Sequence, residues 1–265
     1  EVREGFECGI ALQSYQDIKE KEEKIEIPIP NGPRLGNEVI EAVNVSKAYG
    51  DRLLYENLNF KLPPAGIVGI IGPNGAGKST LINVLSGTVA TDSGSLLING
   101  RDVTRASMQQ RVVAGLSRSY QITNIFQTSS VLENLLLAVQ AQQGIQFSFL
   151  RSRARDTALR EAAQDLAHEC SIDVSLWDFP AGTLPHGEQR KLEFALAWAA
   201  RPSVLLLDEP MAGMGPDETL RLTELIESLR GRAAMLLVEH DMQAVFRLAD
   251  RISVLVYGRI IATGA

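Results

Sequence analysis

Residues 72–80 read Gly-Pro-Asn-Gly-Ala-Gly-Lys-Ser-Thr, and this stretch decides the fold. It fits the G-x-x-x-x-G-K-S/T pattern of a phosphate-binding loop. An apolar run, Ile67–Ile71, precedes the loop, and the residues after it predict a helix over about 78–85. Strand, loop and helix in this order are the context that the pattern requires. The sequence therefore predicts a nucleotide site at the end of a strand in an α/β domain.

The composition of this loop suits the binding of anionic phosphates. Its glycines let the backbone wrap closely enough for several N–H groups to point at the phosphates, and the start of the following helix favours negative charge. We expect Lys78 to hold the β and γ phosphates of ATP and Ser79 to bind Mg²⁺. Every residue of the loop is a predicted nucleotide contact: Gly72, Pro73, Asn74, Gly75, Ala76, Gly77, Lys78, Ser79 and Thr80.

Composition indicates a globular chain. With 265 residues, 45% of them apolar and 22% charged, it can bury the core of one large α/β domain. Its net charge of -6 gives no electrostatic reason to expect a nucleic-acid partner. Cys8 and Cys170 lack metal-binding spacing, which favours a reducing, cytosolic compartment. No apolar run approaches the roughly 20 residues that cross a bilayer, so we expect a soluble chain, which is compatible with docking on a membrane protein.

Two later apolar runs lead into polar residues of catalytic type. Residues 204–207 are followed by Asp208 and Glu209, and Ala234–Val238 is followed two residues later by His240. In open α/β sheets, ligands bind at the carboxyl ends of the strands. Asp208 is therefore the predicted Mg²⁺ ligand, and Glu209 is the residue predicted to polarise the attacking water.

Another predicted helix begins at the heptapeptide Leu-Pro-His-Gly-Glu-Gln-Arg, and here the sequence resembles the ABC ATPases. The motif stands in place of their LSGGQ signature, which one subunit of an ATP-bound dimer presents to the γ-phosphate held by the other. Leu184 and Gly187 match that signature, while Pro185, His186 and Glu188 replace its serine, first glycine and glutamine. Pro185 removes a hydroxyl and an N–H donor. We still expect the Gly187 N–H group and the helix dipole to attract the partner's phosphate.

The resemblance implies roles for further residues. His240 matches the switch histidine, which contacts the γ-phosphate in these ATPases. Tyr49 corresponds to the aromatic residue that stacks on adenine, with a core or hairpin tyrosine as the alternative. Gln121 follows a short predicted strand and is expected to reach both Mg²⁺ and the attacking water. Residues 211–216 stand where the family has its D-loop, with Gly215 in place of the usual aspartate.

The implied fold is the α/β fold of ABC-type P-loop NTPases. It combines a RecA-like parallel core with a small antiparallel β subdomain and a helical subdomain. Short apolar segments predict the first two strands of the antiparallel subdomain over 39–45 and 58–62. We expect the antiparallel portion over about 39–61 and near 96–99, and the helical subdomain over about 101–183. Residues 1–36 are interpreted as an N-terminal extension or linker, and 37–265 as the ATP-binding domain.

Different parts of the chain resemble different families. From about residue 81 to 265, the Leu-Pro-His-Gly-Glu-Gln-Arg and Val-Glu-His-Asp-Met motifs resemble ATPase subunits of branched-chain amino-acid and related urea or amide importers. Residues 30–77 resemble the second cassette of an ABC-F translational throttle ATPase, and 1–20 the last β-barrel of bacterial translation initiation factor two. The sequence thus predicts a recombined or engineered chain, joined near 21–24 and inside the phosphate loop, and cut from something longer at both ends.

The favoured function is that of the energy-coupling, ATP-hydrolysing subunit of an importer for branched-chain amino acids or related small amides. Such a subunit forms a homodimer, or a heterodimer with a second ABC ATPase, and acts on two membrane permease subunits. An extracytoplasmic binding protein is an indirect partner. The expected location is the cytoplasmic, inner face of the bacterial cell membrane.

Two alternatives stay open. An ABC-F translation factor is disfavoured because such proteins join two cassettes, whereas this chain has one phosphate loop and one signature. A module that binds ATP with little turnover is the other alternative, since Pro185 and Gly215 depart from the general pattern.

Overall fold

The computed structural model of the chain describes residues 38–50, 52–119, 125–143 and 153–264. The predicted extension over 1–36 and the predicted site residue Gln121 lie outside the described residues.

The described elements alternate between strands and helices over much of the chain. In chain order they are β1 (Ile40–Tyr49), β2 (Arg52–Leu62), β3 (Ile67–Ile71), α1 (Lys78–Ser86), β4 (Ser93–Ile98), β5 (Arg101–Asp102), α2 (Met108–Val113), β6 (Leu116–Arg118), α3 (Val131–Gln142), α4 (Arg153–Glu169), short 3-10 turns at Val174–Leu176 and Ala181–Thr183, α5 (His186–Ala199), β7 (Val204–Asp208), α6 (Pro216–Ser228), β8 (Ala234–Val238), α7 (Met242–Leu248), β9 (Arg251–Val256) and β10 (Arg259–Gly264).

The larger sheet has six strands in the order β10-β9-β3-β8-β7-β6. All neighbours are parallel except β10, which pairs antiparallel with β9. Strand β3 lies between β8 and β9, with Ile67 opposite Met235. The carboxyl ends of β3, β7 and β8 therefore meet at one edge of the sheet, where a ligand site is expected.

The core lies on both faces of this sheet. Along β7, Leu205 and Leu207 belong to a cluster with apolar residues of α3 to α7, whereas Val204 and Leu206 belong to a second cluster with α1 and the small sheet. This division follows the two-residue alternation of a strand. Burial on both faces explains why β7 and β8 read as unbroken apolar runs.

The smaller sheet is antiparallel, with strand order β2-β1-β4-β5. The sequence predicted its first two strands as 39–45 and 58–62, but both are longer, and β2 begins at Arg52. Register shifts between Ala42 and Ala48 interrupt the pairing of β1 with β2. Such irregularities break the alternation of apolar and polar residues by which a strand is recognised in a sequence. The sequence therefore did not predict the halves of β1 and β2 nearest the turn.

The segment 101–183 contains α3 and α4, as the prediction of a helical subdomain requires. Its first residues, however, form strands that belong to the two sheets. Strand β5 joins the small sheet, and β6 pairs with β7, with Ser117 opposite Leu205. A strand of three residues is too short to carry a periodic signal. The boundary of the helical subdomain stays a prediction.

Candidate functional site

The phosphate loop connects β3 to α1 at the carboxyl edge of the larger sheet. Gly77, at the N-cap of α1, has a left-handed φ of 103°, which favours glycine. A Cβ on Gly72 would lie 2.0 Å from the carbonyl oxygen of Leu255, so the loop passes too close to β9 for any side chain at this position. The predicted loop residues therefore form a compact turn against neighbouring backbone.

Tyr55 contacts the phosphate loop at Gly77, and the sequence did not predict this contact. Its side chain is 1% exposed, and its hydroxyl donates a hydrogen bond to the carbonyl oxygen of Gly77. Burial raises the pKa of the Tyr55 phenol, so the hydroxyl stays protonated and can donate. Tyr55 lies in β2 and not in β3, the strand that precedes the loop, so its contact with Gly77 depends on how the two sheets pack.

Lys78 is buried at the first position of α1. Its Nζ donates to the carbonyl oxygens of Gly72, over 2.6 Å, and Pro73, over 3.1 Å. Burial lowers the pKa of Lys78, while the charges of Glu209 and Asp208 raise it. The loop thus holds a cationic group beside the two carboxylates at the end of β7.

Asp208, the last residue of β7, is 2% exposed. Its Oδ2 accepts a hydrogen bond of 2.9 Å from Nη2 of Arg118, at the end of β6. Its Oδ1 has no hydrogen-bond partner in the described part of the chain. Burial raises the pKa of the Asp208 carboxyl, and the Arg118 charge opposes that rise. Among the described residues, Oδ1 of Asp208 is therefore a buried carboxylate oxygen with room for a further ligand.

Glu209 and His240 lie in contact at the ends of β7 and β8. Glu209 Oε1 is 3.1 Å from His240 Nε2. Glu209 adopts a left-handed φ of 50°, and its backbone N–H donates to Val238 O over 2.8 Å. Left-handed backbone in a residue other than glycine is held by its surroundings and is common at functional sites. The structure thus brings together two residues that the sequence predicted as catalytic.

The predicted signature lies at the start of α5, with Pro185 as the N-cap. The Gly187 N–H group, which we expected to attract phosphate, donates to Glu218 Oε1 over 3.2 Å. The other oxygen of Glu218 accepts from the N–H of Gly215, over 3.1 Å. These two N–H groups lower the pKa of the Glu218 carboxyl, that of Gly215 having the larger effect. One carboxylate thus connects the signature with the predicted D-loop, a link that no sequence pattern predicted.

The remaining predicted residues have mixed surroundings. Leu184 is buried, and Glu188 Oε1 forms an ion pair of 2.9 Å with Lys191. Tyr49, at the end of β1, is half exposed, and Lys47 Nζ lies 5.4 Å from its ring centroid. The adenine contact of Tyr49 stays a prediction.

The parallel sheet, the glycine loop before α1 and the acidic strand end define a P-loop ATPase. Known proteins agree with this class. The profile of the family described as ABC transporter matches residues 55–212. The high-affinity branched-chain amino acid transport ATP-binding protein LivG of Escherichia coli (strain K12) is 37% identical over 224 residues, which cover 82% of this chain and 87% of LivG. BraF of Pseudomonas aeruginosa, which has the same description, is 34% identical over 233 residues, and these cover 85% of this chain and 91% of BraF.

Solved structures give the same answer for the fold. The ADP conformation of MJ1267, an ATP-binding cassette of an ABC transporter, has a TM-score of 0.76 at 26% identity, and the match covers 86% of this chain and 91% of that one. The chain belongs to the ABC transporter family, as an ATPase and nucleotide-binding subunit. The predicted fold class is thereby confirmed. Among the described residues, none of the helices combines the length and apolar character that a membrane span requires.

Proposed function

We propose that this chain is the energy-coupling subunit of an importer for branched-chain amino acids or related small amides, in which ATP hydrolysis drives transport. The observation that carries the hydrolytic part is the 3.1 Å contact between Glu209 and His240 beside the phosphate loop. The solute class is supported by the names of LivG and BraF, both described as branched-chain amino acid transport ATP-binding proteins.

Hydrolysis here needs positioning and charge stabilisation more than covalent chemistry. Lys78 and the N–H groups of the loop would bind the phosphates. Glu209 would orient the attacking water and accept its proton. His240, in contact with Glu209 Oε1, would keep that carboxylate in place and reach the γ-phosphate.

A Mg²⁺ ion fits the residues at this edge. The buried Oδ1 of Asp208 lacks a hydrogen-bond partner among the described residues, and a carboxylate oxygen is a ligand that Mg²⁺ prefers. Ser79, in the first turn of α1, would supply a hydroxyl ligand, and Gln121 is the third predicted ligand. When bound, the ion neutralises charge on the phosphates.

Dimerisation would complete the site through the signature residues 184–188. The Gly187 N–H group would face the phosphate of the partner's nucleotide, in a homodimer or with a second ABC ATPase. Because Glu218 accepts from this N–H, the partner's phosphate would have to displace a carboxylate. This contact favours the second candidate function, an ATP-binding module with little turnover.

Two permease subunits and, through them, an extracytoplasmic binding protein are the proposed partners at the inner face of the membrane. A cavity of about 260 Å³ beside Arg118 supports this proposal. Met108 and Val112, on α2, line the cavity and are partly exposed. A cytoplasmic segment of the permease would dock in this cavity. Arg118, which lines the cavity and donates a hydrogen bond to Asp208, would couple the docked segment to the nucleotide site.

The mosaic origin stays a prediction for residues 1–20 and 30–77. The family profile begins at residue 55 and runs through the predicted joint in the phosphate loop. The comparisons therefore lend no support to an ABC-F or initiation-factor origin, or to the ABC-F translation function.

Two experiments test the proposal. Size-exclusion chromatography of Glu209→Gln with ATP should give a dimer that unsubstituted protein, which turns ATP over, forms only transiently. A monomer at all ATP concentrations would contradict the dimeric site. Uptake of labelled leucine and labelled urea by host cells with and without the chain tests the solute class, and unchanged uptake of both would contradict the importer assignment.

A further inference from the structure

Glu239 is a buried carboxylate next to the catalytic pair. It follows β8 directly, precedes His240, and is 4% exposed. Its Oε1 accepts from the N–H of Met211 over 2.8 Å. Its Oε2 accepts from the N–H groups of His240, over 2.7 Å, and Asp241, over 3.3 Å. Within the described residues, all its hydrogen bonds come from backbone N–H groups.

These three hydrogen bonds join two loops that carry the catalytic residues. Met211 lies two residues after Glu209, at the start of the predicted D-loop, and His240 follows Glu239 directly. One carboxylate therefore fixes the backbone on both sides of the Glu209–His240 contact. Hydrogen bonds to a charged acceptor are stronger than neutral ones, and burial strengthens them further.

We propose that Glu239 is a positioning residue for ATP hydrolysis. It holds the ends of β7 and β8 in the register that keeps Glu209 Oε1 within 3.1 Å of His240 Nε2. It acts through these two residues and does not itself contact the nucleotide. The inference rests on the proposed function, in which Glu209 and His240 carry out hydrolysis.

The substitution Glu239→Gln tests this role with little change in volume. Both carboxylate oxygens accept hydrogen bonds, but a glutamine has one oxygen and one NH₂ group, which cannot accept. The NH₂ group must therefore face either the Met211 N–H or the His240 and Asp241 N–H groups. One of the two loops therefore loses its hydrogen bonds to residue 239, while the packing of the core is unchanged.

A matched control is Glu169→Gln. Glu169 is also poorly exposed, at 14%, and accepts from Trp198 Nε1 over 2.9 Å. It lies in α4, and none of its described hydrogen bonds involves the nucleotide site. A carboxylate of purely structural importance should behave like this control, with a lower melting temperature and unchanged turnover per folded molecule.

We expect Glu239→Gln to lower kcat on the order of 10- to 100-fold, as small misplacements of catalytic groups do, with ATP affinity little changed. Added to His240→Ala, it should cause little further loss, because residues that act as a unit are not additive. Hydrogen exchange at Met211 or His240 should accelerate in Glu239→Gln and not in Glu169→Gln.

Three results would overturn the inference: wild-type turnover in Glu239→Gln, losses that multiply in the double variant, or unchanged exchange at both amides. If the unsubstituted chain has no turnover at all, the proposed function fails instead. Exchange at Met211 and His240 then still decides whether Glu239 anchors both loops.

Discussion

Arg118 and Asp208 form an ion pair of 2.9 Å although 90 residues separate them, and both side chains are nearly inaccessible. Arg118 also donates from Nη1 to Asn83 Oδ1, over 2.6 Å. This one side chain therefore connects β6, β7 and α1 at the nucleotide edge. It holds the charge of Asp208 in a buried position where desolvation alone would favour the neutral acid.

Removing Arg118 should leave Asp208 as a buried carboxylate without its cationic partner. We expect Arg118→Met to destabilise the fold by about 3–5 kcal/mol, since breaking a buried pair has this effect. Urea denaturation measures the difference. Arg247→Met is the control, because the Arg247 pair with Glu227 is exposed and should contribute no more than about 1 kcal/mol. Equal losses in the two variants would contradict the structural role of Arg118.

Gly72 should tolerate no side chain. In Gly72→Ala the new Cβ would meet the Leu255 carbonyl oxygen at 2.0 Å, and the backbone has a positive φ of 156°. Gly100→Ala is the control, since Gly100 also has positive φ but a Cβ there would meet nothing within 4 Å, so only about 1–2 kcal/mol is expected. Calorimetric ATP binding should be lost in the first variant and retained in the second. Normal ATP affinity in Gly72→Ala would refute the close approach of loop and β9.

Tyr55→Phe should remove the hydroxyl that donates to Gly77 O, with little change in the volume of the side chain. Loss of the donor to Gly77 O should cost about 1 kcal/mol of folding stability and weaken ATP binding by a similar amount. Thermal unfolding with and without ATP separates the two effects. No change in Tyr55→Phe would mean that the hydroxyl does not support the loop.

Acid should loosen the contact between the signature and the D-loop. The N–H groups of Gly215 and Gly187 hold the pKa of Glu218 below its ordinary value. Because the folded-state pKa is depressed, the stabilisation is present above the unfolded-state pKa and is lost as pH falls through the folded-state pKa. The melting temperatures of the unsubstituted protein and Glu218→Gln should therefore differ at neutral pH and converge in acid. A constant difference would show that Glu218 does not titrate as proposed.

Local sequence patterns were sufficient to predict the loop, its flanking strand and helix, and the polar ends of β7 and β8. Each of these is encoded by consecutive residues with a fixed spacing. Contacts between distant segments could not be predicted in this way. Arg118 with Asp208, Tyr55 with Gly77, and Glu218 with Gly187 depend on strand order and on which side chains the folded chain brings together.

Steady-state phosphate release from MgATP tests the central claim most directly, with unsubstituted protein and Glu209→Gln measured over a range of protein concentrations. We predict that turnover per molecule rises with concentration, and that Glu209→Gln loses on the order of 10²- to 10⁴-fold of it, as expected for a general base, while still binding ATP. Equal turnover in the two proteins would contradict the assignment of Glu209, and turnover independent of concentration would contradict a site completed by a second subunit.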